Sequence, residues 1–223
     1  QPKSPISEAY RSLRTSISYS SPDHFKSMVV SSAGPGEGKT TSIANLAITY
    51  ANLGKRVLLV DTDLRRPVLK KVFSITKKEG ITSYLTGLTD KISDIVFETE
   101  IPNLSVIPAG IIPPNPSELL ESSRMEGLID KLKEQCDIVL FDSPPLFAVT
   151  DASLIAKHTD KLMLVVMPGK TDKNAFNHCV ENLENMNQPI DGAVFNGVNT
   201  KNSYGSYYYY YQYYNYYGQS KSG

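Results

Sequence analysis

Net charge is missing from this chain: 23 lysines and arginines offset 23 aspartates and glutamates over 223 residues. Such a balance gives no overall field to draw it to nucleic acid or to an anionic membrane surface, and no nucleic-acid partner is expected. Long hydrophobic runs are missing too. The longest, around residues 57–60 and 162–167, have the length of buried strands and fall well short of the ~18 residues a membrane span needs. Cysteine is limited to Cys136 and Cys179, without framework spacing, which reads as reduced thiols in a cytosolic protein. His24, His158 and His178 show no metal-ligand spacing and read as exposed or core residues. No aliphatic residue follows Val198, and the chain opens on Gln1 rather than methionine. Sequence upstream of Gln1 is therefore expected, with a targeting or membrane segment there left open.

What is present is a hydrophobic fraction of 40%, ordinary for one globular domain, in a chain long enough for one substantial core. Short, continuous, β-branched apolar runs occupy 28–32, 57–61, 104–108, 138–142, 162–167 and 192–196. Continuous rather than alternating apolarity indicates strands buried on both faces, as in a parallel sheet covered by helices. Helical patterns lie between them near 40–53, 117–135, 150–158 and 172–186, and a separate amphipathic helix precedes them at 4–19. Gly54 and Lys55 stop the first of these, and Ser117 caps another after the breaker run PPNP. The alternation predicts an α/β fold: a P-loop NTPase-like, doubly wound, mainly parallel sheet with helices on both faces, its ligands at the carboxyl ends of the strands. The expected division is a domain over 1–198 and a flexible tail over 199–223.

The segment MVVSSAGPGEGKTT sets a glycine-rich loop after the first strand and before a helix. Ala33, four residues, then Gly38-Lys39-Thr40 fits the Walker A pattern with alanine in place of the usual first glycine. Backbone amides around Gly34, Gly36, Glu37, Gly38, Thr40 and Thr41 are expected to cradle phosphates, Lys39 to neutralise the β/γ charge, and Thr40 to ligate Mg²⁺. Carboxylates stand at two further strand ends: Asp61 and Asp63 in VLLVDTDLRRP, and Asp142 in IVLFDSPP. Asp142 has the setting of a Walker B acid holding Mg²⁺. Arg65 and Arg66 read either as ligands for a phosphoryl group or as a solvated basic turn.

Ten of the fourteen tyrosines are concentrated in the tail: Tyr204, Tyr207, Tyr208, Tyr209, Tyr210, Tyr211, Tyr213, Tyr214, Tyr216 and Tyr217. A phenol cluster on a polar tether, carried by the same chain as a phosphate loop, reads as a substrate beside its own enzyme. The other reading is a sticky aromatic segment used for association.

With AGPGEGKT, LLVDTDLRRP, IVLFDSPP, the tyrosine cluster and the opening EAYRSLR, nearly the whole chain resembles the bacterial tyrosine kinases of capsule and exopolysaccharide synthesis. The resemblance implies an ATP- and Mg²⁺-dependent autokinase, with Asp61 as general base on the incoming phenol and Asp63 and Asp142 organising Mg²⁺. It also implies that Asn196 reads the purine edge, where the local reading is a polar turn. Glu8, Arg11 and Arg14, three residues apart on one helix face, become contacts closing a homo-oligomeric ring in place of an exposed ion pair. A membrane-embedded polysaccharide co-polymerase as activator and a tyrosine phosphatase are the further implied partners. The implied location is the cytoplasm, at the inner face of the membrane. The related Min/Par partitioning ATPases carry an extra lysine that would fall at Gly34. Its absence tells against an ATPase switch that recruits partners without modifying tyrosine. A non-catalytic scaffold is the remaining rival. The eukaryotic kinase signatures GxGxxG, HRD and DFG are absent, which excludes that fold.

Overall fold

A computed structural model of the chain describes residues 4–20 and 25–198. His24 and the tyrosine tail from 199 onward lie outside the described residues. Seven strands form one sheet in the order β3-β4-β2-β5-β1-β6-β7: β1 (Ser27–Ser32), β2 (Val57–Asp61), β3 (Phe97–Glu98), β4 (Leu104–Ile107), β5 (Ile138–Asp142), β6 (Lys161–Val166) and β7 (Gly192–Phe195). All pairings are parallel except that of β3 with β4. The expected α/β architecture is therefore present, and each of the six expected strands has its counterpart.

Alternation along the strands divides the core into two layers, because successive side chains leave opposite faces. Val29, Leu58, Val60, Val139, Phe141, Leu162 and Leu164 face one way. They pack with Leu128, Ile129 and Leu132 of α6 (Ser123–Gln135), Ile155 of α7 (Asp151–Ala156) and Leu183 of α8 (Lys173–Asn185). Met28, Val30, Val57, Leu59, Ile138 and Leu140 face the other way, against Ile43, Leu46, Ala47 and Tyr50 of α2 (Lys39–Ala51). The amphipathic helix α1 (Pro5–Tyr19) packs outside α2. Ser4 caps it by accepting from Ser7 N at 3.1 Å, and Ile17 is its buried anchor.

Three features depart from the sequence reading. The helix expected over 117–135 is two helices, α5 (Pro116–Glu121) and α6. Ser122 between them is extended (φ −68°, ψ 151°), and its hydroxyl caps α6 by accepting from Met125 N. The short helices α3 (Leu69–Val72) and α4 (Ile81–Leu85) and the two-residue strand β3 carry no readable periodicity. Among the described residues, no helix is long and apolar enough to cross a membrane.

Candidate active site

The connection between the central strand β1 and helix α2 forms a loop over residues 33–38. Gly36 and Gly38 have φ of 72° and 90°, left-handed values that a Cβ strains. Close neighbours impose a second requirement at both positions. A Cβ on Gly38 would overlap Asn196 Nδ2, and one on Gly36 would stand 2.5 Å from Lys170 Nζ. Helix α2 has no side-chain N-cap, and among the described residues the amides of Gly36, Glu37 and Gly38 donate no hydrogen bond. Uncapped amides at a helix N-terminus are a ready site for anionic oxygens. Glu37 contributes its backbone here. Its side chain turns inward at 2% exposure, into space left by Gly34, where a Cβ would come within 3.2 Å of Oε1. Thr41 is exposed on the first turn of α2, and its carbonyl accepts from Asn45 at 2.8 Å.

Strands β2 and β5 end side by side, with Asp61 and Asp142 in register. Lys39 Nζ lies 3.3 Å from both Asp63 Oδ2 and Asp142 Oδ1. Thr40 donates its hydroxyl proton to Asp142 Oδ2 at 2.6 Å. Lys39, Thr40, Asp63 and Asp142 are thus brought together as the motifs imply. Burial alone would lower the Lys39 pKa, but Asp142 and Asp63 outweigh it and the ammonium is held above its ordinary value. Burial raises Asp142, with Lys39 and Thr40 opposing.

Asp61 is different. It is fully buried, and both of its oxygens accept backbone amides: Asp63 N at 3.3 Å, Val68 N at 3.1 Å and Leu69 N at 3.0 Å. It thereby fixes the turn that places Asp63 and starts α3. Burial first, and the Asp142 charge second, push its carboxyl group up to about 7, with the Leu69 amide opposing.

Among the described residues no three His, Cys, Asp or Glu side chains converge into a metal cage. Mg²⁺ needs none, since one or two carboxylates suffice when phosphates and waters supply the remaining ligands. Two carboxylates and a hydroxyl facing one ammonium leave an excess of negative charge and hard oxygen donors, so the residues fit that ion.

Beside the loop opens a cleft of about 470 Å³ whose lining includes Pro35, Asp63, Arg66, Pro145, Phe147 and Lys170. Arg65 also borders it and, though exposed, is tied down: its Nε lies 2.9 Å from Oδ2 of the fully buried Asp151, and its Nη2 2.9 Å from Ser117 Oγ. Asn196, just past β7, donates from Nδ2 to Glu37 O at 3.0 Å, which places it against the loop. On α1, Arg11 pairs with Glu8 at 2.6 Å while Arg14 donates to Thr49 O on α2 at 3.0 Å. Sequence reasoning missed Lys170, which bonds the loop from the turn after β6. It also missed Phe147 on the cleft wall. Each is a residue following a strand next to β1, a signal readable only once strand order is known.

This fold and this loop define a P-loop nucleotide-binding α/β domain. The family described as AAA domain matches residues 25–191. The tyrosine-protein kinase YwqD of Bacillus subtilis (strain 168) is 41% identical over 198 residues, covering 88% of this chain and 83% of that one. The tyrosine-protein kinase CpsD of Streptococcus agalactiae is 35% identical over 193 residues, covering 86% and 83%. Among solved structures, the chimerical protein CapA2B2 superposes with a TM-score of 0.83 at 38% identity over 87% of this chain and 86% of that one. The septum site-determining protein MinD of Pyrococcus horikoshii, with TM-score 0.63 and 22% identity over 76% of this chain and 68% of that one, shares the fold alone. The chain belongs to the bacterial tyrosine-protein kinases.

Proposed function

We propose that the chain is an ATP- and Mg²⁺-dependent autokinase that phosphorylates the tyrosines between 204 and 217 of a neighbouring copy, and thereby regulates capsular or exopolysaccharide synthesis and export. The observation that carries this reading is the convergence of Lys39, Thr40, Asp63 and Asp142 beneath a loop whose Gly36, Glu37 and Gly38 amides have no acceptor among the described residues. Phosphoryl transfer asks little covalent chemistry of a protein, so positioning and charge neutralisation supply most of the rate. Lys39 and the loop amides would hold the β- and γ-phosphates. Mg²⁺, when bound by Thr40, Asp63 and Asp142, would neutralise further phosphate charge.

The acceptor phenol enters the cleft beside the loop, whose apolar wall at Pro35, Pro145 and Phe147 suits an aromatic ring and whose Asp63 and Arg66 suit its reacting end. Its oxygen bonds to the γ-phosphorus as the bond to the β-phosphate oxygen breaks, and its proton passes to a carboxylate. A phenol with a pKa near ~10 loses that proton in the transition state rather than before it. Asp61 has an affinity near neutrality that suits such a base. Three of its four lone-pair positions already accept backbone amides, which leaves one on Oδ1 for the proton.

Asn196 donates one Nδ2 proton to a loop carbonyl, an orientation that leaves Oδ1 as an acceptor. An acceptor suits the exocyclic amine of adenine and disfavours the carbonyl of guanine. Glu8, Arg11 and Arg14 would join copies into a ring, and a membrane-embedded co-polymerase would recruit and stimulate the kinase at the inner face of the membrane. Mass-spectrometric phosphotyrosine mapping of the wild type beside Lys39→Met and Asp61→Asn tests the reading. Tail modification should vanish in the first and drop steeply in the second. Equal modification in all three would refute the assignments.

A further inference from the structure

Two consecutive carbonyls of the phosphate loop are tied to donors outside it. Glu37 O accepts from Asn196, and Gly36 O accepts from Lys170 Nζ at 2.8 Å. Lys170 belongs to the turn after β6, where the Lys170 and Thr171 amides both donate to Met167 O. Thr171 Oγ1 in turn accepts from Met167 N at 2.8 Å. The lysine is therefore presented from a hydrogen-bonded turn and not from a free loop. Gly36 has no side chain to obstruct it, and any Cβ there would meet the ammonium.

In a trans peptide unit the carbonyl and the following N–H point in opposite directions. Drawing Gly36 O outward to Lys170 directs the Glu37 N–H the other way. Asn196 does the same for the Gly38 N–H. We propose that Lys170 is a positioning residue for the nucleotide phosphates: it fixes the Gly36–Glu37 peptide so that its N–H meets phosphate, and it adds a second cation at the loop beside Lys39. Lys39 is the one charged side chain between Gly34 and Thr40 apart from the inward-turned Glu37, and the second cation reaches the loop from outside it. This inference rests on the loop binding a nucleoside triphosphate, but not on where the phosphoryl group goes.

Titration of the full chain with a fluorescent ADP analogue and Mg²⁺, together with the ATP dependence of autophosphorylation, tests it. A charge-assisted bond lost from a binding loop corresponds to about a tenfold effect or more. Lys170→Met should weaken ADP binding and raise the KM for ATP by that factor, with a smaller fall in kcat. Melting of the nucleotide-free protein should stay unchanged, and Lys170→Arg should restore most of the affinity. Unaltered ADP affinity in Lys170→Met, beside loss of binding in Lys39→Met, would overturn the inference and leave the kinase reading intact. A matching fall in nucleotide-free stability, or no recovery with arginine, would overturn it as well by reducing Lys170 to a scaffold contact.

Discussion

Asp61 and Asp142 stand opposite one another at the ends of adjacent parallel strands, yet their side chains have separate tasks. Asp142 faces Lys39 and Thr40, while Asp61 holds three backbone amides. Asp63→Asn and Asp142→Asn should therefore abolish Mg²⁺-dependent autophosphorylation, by at least ~10²-fold given the weight of charge stabilisation in such sites, while the fold persists. Asp61→Asn should lose activity and also about 1–3 kcal/mol of stability, because amides buried against it lose an acceptor. Denaturant titration of the three variants beside the kinase assay distinguishes them.

Metal-free stability should depend on pH with a definite sign. An ordinary aspartate titrates near about 4, whereas burial and the Asp142 charge put Asp61 at about 7. Between those values the folded state holds more protons than the unfolded state, so stability is greatest at the acid end and declines as pH rises through about 7. Denaturation in a chelator at pH 5 and at pH 8 should show this decline, flattened in Asp61→Asn. A rise over the same interval would contradict the assignment.

Gly38→Ala should eliminate nucleotide binding. The position combines φ of 90° with contact against Asn196 Nδ2, so a methyl group strains the backbone by roughly 1–3 kcal/mol and displaces the Asn196 brace. Asn196→Ala should weaken ADP by about tenfold, the cost of one donor at a binding loop. It should also narrow the preference for adenine over guanine nucleotides. Both follow from fluorescence titration with ADP and GDP analogues.

Arg65→Ala should act through Asp151. That carboxylate is fully buried and, among the described residues, would keep only Ser117 Oγ, at 2.7 Å. Loss of about 1–3 kcal/mol is expected for stripping a partner from a buried charge. Chemical denaturation reads it directly, and Arg65→Lys should recover little, because the present contact uses Nε and Nη2 together.

Phosphorylation should also change assembly. Each phosphate adds about −1.5 to −2 charge, and several on one tail repel one another and the acidic Mg²⁺ site. Light scattering before and after incubation with Mg-ATP and the stimulatory partner should show a fall in mass, reversed by a phosphatase. An unchanged mass after full modification would discard this cycle.

The central strands were legible because burial on both faces writes a continuous apolar run, as in VLLV and IVLF. Lys39, Thr40 and Asp142 were legible because each chemistry is encoded beside a strand end. The segment from 64 to 103 was not, because its short elements are fixed by distant partners. Asp61 starts α3, and α4 is seated by Ile81 N and Thr82 N on the carbonyls of Pro108 and Ala109. Lys170 was hidden for the same reason: 134 residues separate it from Gly36, and only the adjacency of β1 with β6 joins them. The break at Ser122 was written in the sequence as a serine able to cap, but a continuous helical pattern across it masked the signal.

The position of Asn196 has a geometric consequence for transfer between copies. Two residues beyond it the described chain ends at Val198, so the tether bearing the phenols is rooted at the rim of its own subunit's nucleotide pocket. Eighteen residues of unstructured chain would span roughly 25 Å on average and about 60 Å at full stretch. Exchange between copies would therefore be most frequent where rim and neighbouring mouth lie within roughly 25 Å and would stop beyond about 60 Å, which limits how far apart two kinases could sit while still serving as each other's substrate.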